Sequence, residues 1–349
     1  MNTKDIIFKE LKDAESNDGF VSGEKLAEVC GVSRAAIWKG ITALRKSGCE
    51  IEAVTNRGYR LTSAADILTE ENVRFYLPAG FPYEISVFDN IDSTNTECKR
   101  RCVEAGVLRN AGNNLTRQGE KLHMSSVIAA SQTNGRGRLG REFYSPDKSG
   151  IYLSIIYSPE SAEVTPARMT VSAAVAVCRA IKKLYGIESS IKWVNDIFVG
   201  GKKVCGILTE GIANFETASI DAAVIGIGIN MTESTDGFPK EIASVAGAIS
   251  DASSGVTRSA MAAKVIEETL SLLTGGLEKF ADIIEEYKSH SLLIGREVLV
   301  KPVINDESQA YEATVTDIDT EARLVVKDRQ GNERFLSSGE VTLSSSAFV

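Results

Sequence analysis

Gly135-Arg136-Gly137-Arg138-Leu139-Gly140-Arg141 follows the apolar run Val127-Ile128-Ala129-Ala130 and precedes another from Ile151 to Tyr157. Three glycines and three arginines in seven residues let a backbone turn tightly and approach a ligand. Successive amide N–H groups in such a turn can cup an anion, and a guanidinium can bind a phosphate through two parallel hydrogen bonds. Strand, loop, strand is thus the arrangement of a phosphate clamp. A solvated basic turn, or an arginine–glycine segment touching RNA, fits the seven residues alone equally well.

Working outward, 349 residues are enough for two or three domains with cores of their own. No apolar run reaches the ~18–20 residues of a membrane helix, and Met1 to Ile6 lacks the apolar region of a secretory signal. The six cysteines form no CxxC pair and there are only two histidines, His123 and His290, which excludes a disulfide framework or a Cys/His zinc site. A reduced, cytoplasmic protein is expected. The net charge of −8 opposes non-specific nucleic-acid binding by the whole surface. Residues 1–62, however, carry ten Lys/Arg against nine Asp/Glu, so the acid excess lies further on.

Ile6, Ile7 and Leu11 share one side of a first helix, ended by the turn Ser16-Asn17-Asp18-Gly19. Ser22 is placed to cap a second helix, Gly23 to Cys30; Gly31 turns the chain, and Ser33 caps a third from Arg34 to about Ser47. That is a helix-turn-helix pattern, with Ala27, Val32, Ile37, Ile41 and Leu44 as its shared core. Trp38 reads as partial core rather than as a base contact. The third helix carries Arg34, Lys39, Arg45 and Lys46 and no acid, so one face suits the phosphates flanking a major groove. Ile51 to Leu61 then reads as a hairpin wing with Arg57 at its tip. DNA binding is favoured over a protein-contact module.

After a polar linker, Thr62 to Asp66, a helix begins near Thr69 and Glu84 to Phe88 alternates as a strand. The strand meets Asp92-Ser93-Thr94-Asn95, where a helix bearing Cys98 and Cys102 starts. Such a junction can hold a ligand's polar head, or be a plain helix cap. Residues 104–124, rich in Gly and Asn, read as a loop or insertion. Pro166 to Tyr185 reads as a long buried helix. Ile191 to Val199 and Lys202 to Leu208 form two apolar strands about Gly200-Gly201. Ala222 to Met231 is a central strand whose Gly226 and Gly228 imply close approach by a ligand or backbone. None of these glycine stretches matches a Walker loop or GxGxxG fingerprint. Arg258 to about Tyr287 reads as helix, and short strands from Arg296, with turns at Asn305-Asp306 and Gln330-Gly331-Asn332, fit a small barrel.

The winged helix, Asp92-Ser93-Thr94-Asn95, Gln132 before Gly135-Arg136-Gly137-Arg138, Lys192-Trp193-Val194-Asn195-Asp196, Lys203 to Leu208 and Gly226 to Asn230 recur in this order. Together they resemble the bifunctional biotin–protein ligase and biotin operon repressor family. The resemblance implies an α/β (α+β) multidomain chain. A winged helix-turn-helix (1–62) precedes a class II synthetase-like catalytic domain (67–292) and an SH3-like β-barrel (296–349). It further implies that biotin and ATP, with Mg²⁺, give biotinyl-5′-AMP, from which biotin passes to a lysine of a biotin carboxyl-carrier protein. Biotinyl-AMP as corepressor would favour a homodimer on the operator DNA of biotin genes.

Residue by residue, Ser93, Thr94, Asn95, Gln132, Arg136, Gly137, Arg138 and Lys203 match biotin contacts. Arg136, Arg138, Phe143 and Asn230 fall to the adenylate. Lys203, Arg138 and Asp196 are the expected catalytic set, Asp196 orienting or deprotonating the incoming lysine. Ser33, Arg34, Lys39, Arg45, Lys46 and Arg57 are the expected DNA contacts. Val194 stands where the family usually has proline, and Phe143 where some members have tryptophan. A lipoate–protein ligase, or a ligand-binding repressor without activity, are the alternatives.

Overall fold

The computed structural model describes residues 3–14, 19–46, 49–63, 66–110, 114–159, 164–214, 219–250, 254–274, 280–301 and 309–343. The first unit comprises α1 (Thr3–Asp13), α2 (Gly23–Cys30), α3 (Arg34–Lys46) and the hairpin β1 (Glu50–Val54) and β2 (Gly58–Ser63). Ser22 accepts a hydrogen bond from the Lys25 N–H at the head of α2, and Gly31, with φ 63°, supplies the left-handed turn after it. Ile7, Leu11, Leu26, Ile37, Ile41 and Leu44 form a core that Ile51 and Leu61 of the wing close, with Ala27 and Val32 half-buried at its margin. Trp38 corrects the core assignment: it is 60% exposed. Ile37, Ile41 and Leu44 occupy the inward arc of α3, and the residue following Ile37 is rotated out of it. Thr62 and Ser63 belong to β2 rather than to the linker. The turn expected at Ser16 to Asp18 lies outside the described residues.

The central unit is a seven-stranded sheet, order β3-β4-β5-β9-β8-β7-β6. Its strands are β3 (Ile85–Phe88), β4 (Ser126–Ala129), β5 (Gly150–Tyr157), β6 (Ser190–Lys192), β7 (Asp196–Val199), β8 (Lys202–Asn214) and β9 (Ser219–Asn230). Only the β3–β4 pairing is parallel. Helices α4 (Glu70–Tyr76), α5 (Thr94–Ala105), α6 (Arg117–Leu122), α7 (Pro166–Tyr185), α8 (Arg258–Leu273) and α9 (Phe280–Ser289) surround it. α7 is buried along most of its length and packs on α8. Thr165 caps it by accepting from the Arg168 N–H, and Gly186 ends it at φ 69°.

Three sequence readings are corrected here. The expected loop 104–124 contains α6, capped by Thr116. Its Gly119 signals close approach and not a coil, since a Cβ there would lie 2.2 Å from the Leu108 carbonyl oxygen. The expected strand 191–199 is two strands joined by a turn at 193–195, with a cis peptide between Trp193 and Val194. The expected helix 258–287 is α8 and α9, with 275–279 outside the described residues.

The last unit is a five-stranded antiparallel sheet, order β13-β12-β11-β10-β14. It is built from β10 (Glu297–Lys301), β11 (Tyr311–Ile318), β12 (Leu324–Asp328), β13 (Glu333–Leu336) and β14 (Glu340–Leu343), consistent with an SH3-like domain. β14 escapes the sequence reading because its short Glu-Val-Thr-Leu run follows a Ser-Ser-Gly turn. The turn expected at Asn305-Asp306 lies outside the described residues. Val298, Val315 and Leu324 join the central core, and the Trp193 indole N–H donates to the Ala322 carbonyl at 2.9 Å. At the opposite end Phe8 of α1 meets Phe75 of α4 edge-on at 4.9 Å, and Lys12 donates to the Tyr76 hydroxyl at 3.1 Å.

Candidate functional site

The floor of the site is made by residues that lack side chains. Gly206 of β8 pairs with Gly228 of β9, and Gly226 lies two residues back on the same face. A Cβ at Gly226 would sit 2.0 Å from Asn95 Oδ1, and one at Gly228 2.5 Å from the Phe143 ring. The close approach inferred for these glycines is therefore by Asn95, at the start of α5, and by Phe143, after the basic loop. Above them is a cavity of about 410 Å³. The basic loop, the 192–207 hairpin, the segment 238–246 and, from the C-terminal sheet, Gly339, Val341 and Thr342 complete its walls.

One part of this cavity is polar and uncharged. Ser93 caps α5 through a bond accepted from the Thr96 N–H. The Thr94 N–H and hydroxyl donate to Gln132 Oε1 at 2.9 and 3.2 Å, and the Gln132 amide donates to Ser145 Oγ at 2.9 Å. Ser154 Oγ lies 2.6 Å from Asn95 Oδ1 and 2.7 Å from Thr94 Oγ1. Buried polar groups are costly unless bonded, and this network holds Ser93, Thr94 and Asn95, all nearly fully buried, in fixed orientations.

The other part gathers cations, each facing an acceptor of its own chain. Lys203 Nζ lies 2.7 Å from Asp196 Oδ1. Arg138 donates from Nη1 to Asn195 Oδ1 at 2.9 Å. Arg136 lies 3.8 Å from Glu210, which also receives Lys99 at 2.8 Å and the Asn95 amide at 2.9 Å. Burial pushes the Glu210 carboxyl up, but the bonds from Lys99 and Asn95 outweigh it and hold the group below the usual carboxylate range. Within the basic loop Gly137 N–H bonds to Arg141 O and Phe143 N–H to Gly135 O. Of the loop's three glycines only Gly140 has positive φ, 74°, and Leu139 shares that conformation at 62°.

Lys203 is pinned on both sides: its N–H donates to Val245 O at 2.8 Å, and its carbonyl accepts from Gly247 at 2.9 Å. The Asn230 amide donates to the carbonyl of that same Gly247 at 3.1 Å, so it supports this segment as well as facing the cavity. Segment 238–246 and Glu210 were not anticipated. The signal for Glu210 was the single acid of β8, following the apolar run Val204 to Leu208. The approach of β14 carries no sequence signal, because it depends on how two sheets pack.

The expected DNA contacts lie apart from the cavity, on α3 and the wing. Ser33 accepts from the Ala36 N–H as the cap of α3. Arg34 and Lys39 are exposed, Arg34 lying 3.5 Å from Glu24. Arg45 donates twice to the Ile51 carbonyl, at 3.1 and 2.6 Å, tying α3 to the wing. Arg57, in the hairpin turn, stacks over Phe20 at 4.2 Å. The side chain of Lys46 lies outside the described residues.

Comparison with known proteins matches residues 88–230 to the biotin/lipoate A/B protein ligase family and residues 9–60 to an HTH domain. The bifunctional ligase/repressor BirA of Bacillus spizizenii is 36% identical over 69% of this chain and 69% of its own length. The chain belongs to this family. BirA of Escherichia coli, another bifunctional ligase/repressor, is 32% identical over 62% of this chain and 61% of its own. Among solved structures, a biotin protein ligase from Aquifex aeolicus in complex with biotin and ATP covers 75% of this chain and 98% of its own. Its TM-score of 0.57 at 23% identity is a likeness of fold. The family's ligase region, 88–230, spans α5, the basic loop and the Lys203 hairpin, all of which meet in the cavity. Among the described residues no helix is long and apolar enough to cross a membrane.

Proposed function

We propose that this chain is an ATP-dependent biotin–protein ligase. It forms biotinyl-5′-AMP with release of pyrophosphate and transfers biotin to a lysine of a biotin carboxyl-carrier protein. The observation that carries the reading is the pairing, in one cavity, of a rigid neutral polar set with Arg136, Arg138 and Lys203. Ser93, Thr94, Asn95 and Gln132 suit the neutral, hydrogen-bonding ring system of biotin. Adenylation brings the biotin carboxylate against the α-phosphate, and Lys203 and Arg138 offset that repulsion and the charge that builds in the transition state. Gly137 lets the loop lie close to the ligand, and Phe143 and Asn230 face the adenylate.

Lys203 is held by Asp196 at 2.7 Å, so the ligand enters by exchange. Its carboxylate and phosphate oxygens take over Lys203, and the released Asp196 carboxylate accepts a proton from the incoming lysine ammonium. The resulting amine attacks the acyl carbon, a C–N bond replaces the acyl C–O bond to phosphate, AMP leaves, and the second proton of the attacking nitrogen passes to the departing phosphate or to solvent. Closure of the basic loop excludes water, which would hydrolyse the mixed anhydride. Mg²⁺ fits as the counter-ion of the triphosphate rather than as a protein-held metal. Asp196 and Glu210 are already ion-paired, to Lys203 and Lys99.

The chain is also a biotin-responsive repressor in this reading. Residues 1–62 bind operator DNA of biotin genes, 67–292 catalyse, and 296–349 form the SH3-like unit. Ordering of the cavity around biotinyl-AMP favours a homodimer spanning two half-sites in the cytoplasm. Isothermal titration with biotin, repeated with ATP and Mg²⁺, together with a pyrophosphate assay, tests the enzyme. Pyrophosphate released by lipoate and not by biotin would replace it with a lipoate ligase. Sedimentation with and without biotin plus ATP tests the dimer, and failure to shift any biotin-gene promoter DNA in either state removes the repressor.

A further inference from the structure

Trp38 is a large side chain that the fold leaves unused. It is 60% exposed on a helix whose inward arc is closely packed. Single exposed apolar residues are ordinary; the setting of this one is not. At helical spacing Arg34, Ala35, Trp38, Lys39, Thr42 and Arg45 share the outer arc of α3, with Trp38 one turn from both Arg34 and Thr42. The helix holds four basic residues and no acid. The Thr42 hydroxyl donates to the Trp38 carbonyl at 2.8 Å, so it is turned into its own helix. Arg45 is drawn to the wing by Ile51, and Arg34 leans towards Glu24. The indole is thus an apolar projection with charge on its flanks.

We propose that Trp38 reads a base in the major groove, packing its ring edge against the C5-methyl of a thymine while the flanking cations hold the phosphates. The inference rests on the DNA-binding reading above. Charge complementarity selects the partner: α3 carries four basic residues and no acid of its own, with Glu24 of α2 beside Arg34, and such a face fits a phosphate backbone. The chemistry of the ring selects the base. Indole has one N–H donor and no acceptor, so it cannot make the two-bond contacts by which Arg reads guanine or Asn reads adenine. The thymine methyl is the apolar feature of the major groove.

The test is a selection from a randomised duplex pool by the full chain with biotin, ATP and Mg²⁺ present, run on wild type, Trp38→Ala and Trp38→Phe. Wild type is expected to enrich a motif with an invariant thymine in each half-site. Trp38→Ala should relax that position and lower the ratio of selected to random-duplex affinity by roughly 5- to 100-fold, with the salt dependence on random duplex unchanged. Trp38→Phe, which keeps an apolar ring, should retain part of the preference. The chain has two tryptophans, so duplex binding should alter wild-type emission and leave the Trp193 emission of Trp38→Phe unaltered. Three results overturn the inference: Trp38→Ala selecting the same motif with the same ratio; equal loss on selected and random duplexes; or altered self-association with DNA binding unaffected, which would make Trp38 a protein contact. If wild type itself prefers no duplex, the DNA-binding reading fails, whatever Trp38 does.

Discussion

The cavity and the outer face of α3 both collect basic residues, and they treat them in opposite ways. In the cavity Lys203, Arg138 and Arg136 each face Asp196, Asn195 or Glu210 of the same chain. On α3, Arg34 and Lys39 are exposed, Arg34 lying 3.5 Å from the equally exposed Glu24. Water hydrates the cations of an exposed helix, whereas the half-buried Lys203 and Arg138 need a partner because desolvation is costly. On the proposed reading a ligand anion enters the cavity by displacing internal acceptors, while DNA mainly displaces salt ions.

The largest expected effect that can break this contrast is Lys203→Ala. Pyrophosphate release should fall by roughly 10²–10³-fold, and binding to random duplex should be unchanged; an unchanged rate would remove Lys203 from the reaction. Next is Gly226→Ala, which places a Cβ 2.0 Å from Asn95 Oδ1. Biotin affinity measured by titration should drop at least about 10-fold, with a folding cost of roughly 1–3 kcal/mol from overpacking.

Glu210→Gln should cost about 1–2 kcal/mol of stability at neutral pH through its bonds to Lys99 and Asn95. Because the folded carboxyl lies below its usual range, the stabilisation is present above the unfolded value of about 4.3. It is lost as pH falls through the folded value. Thermal melts of wild type and Glu210→Gln should therefore converge in acid; a constant gap would show that the charge of Glu210 is irrelevant. The smallest effect is Lys39→Ala, read as a reduction of about one in the slope of log affinity against log salt, with biotin binding unaltered.

Much of the architecture could be read from periodicity and punctuation. Ser22, Gly31 and Ser33 mark the helix-turn-helix because capping and left-handed turns are local chemistry. Pro166 and Gly186 bracket α7 for the same reason. The readings that failed are those where a local signal has two causes. Gly119 looks like a loop residue but marks a helix pressed on Leu108. Trp38 looks like core, but the neighbouring Ile37 takes the inward position. In Ile191 to Val199 the polar pair Asn195-Asp196 was the turn signal, but the apolar residues on both sides made the stretch read as one strand across the turn at 193–195, where Tyr287 donates to the Val194 carbonyl.

By itself the sequence determined which residues are chemically able to act. Gly135 to Arg141 is legible from its own glycines and arginines, whereas Ser93 to Asn95, Gln132 and Lys203 were picked out by their resemblance to the ligase/repressor family. The tertiary structure alone decided what each faces. Glu210 opposite Arg136, Asp196 beside Lys203, Phe143 lying on Gly228 and β14 at the cavity mouth are contacts between segments far apart in the chain. The same geometry turns the basic loop from an unpaired phosphate clamp into a set of cations already answered from within. For the half-buried Arg138 and Lys203 the pairing arises from packing, because a weakly polarizable surrounding makes an unpaired charge costly and the partner is whichever group the fold brings near.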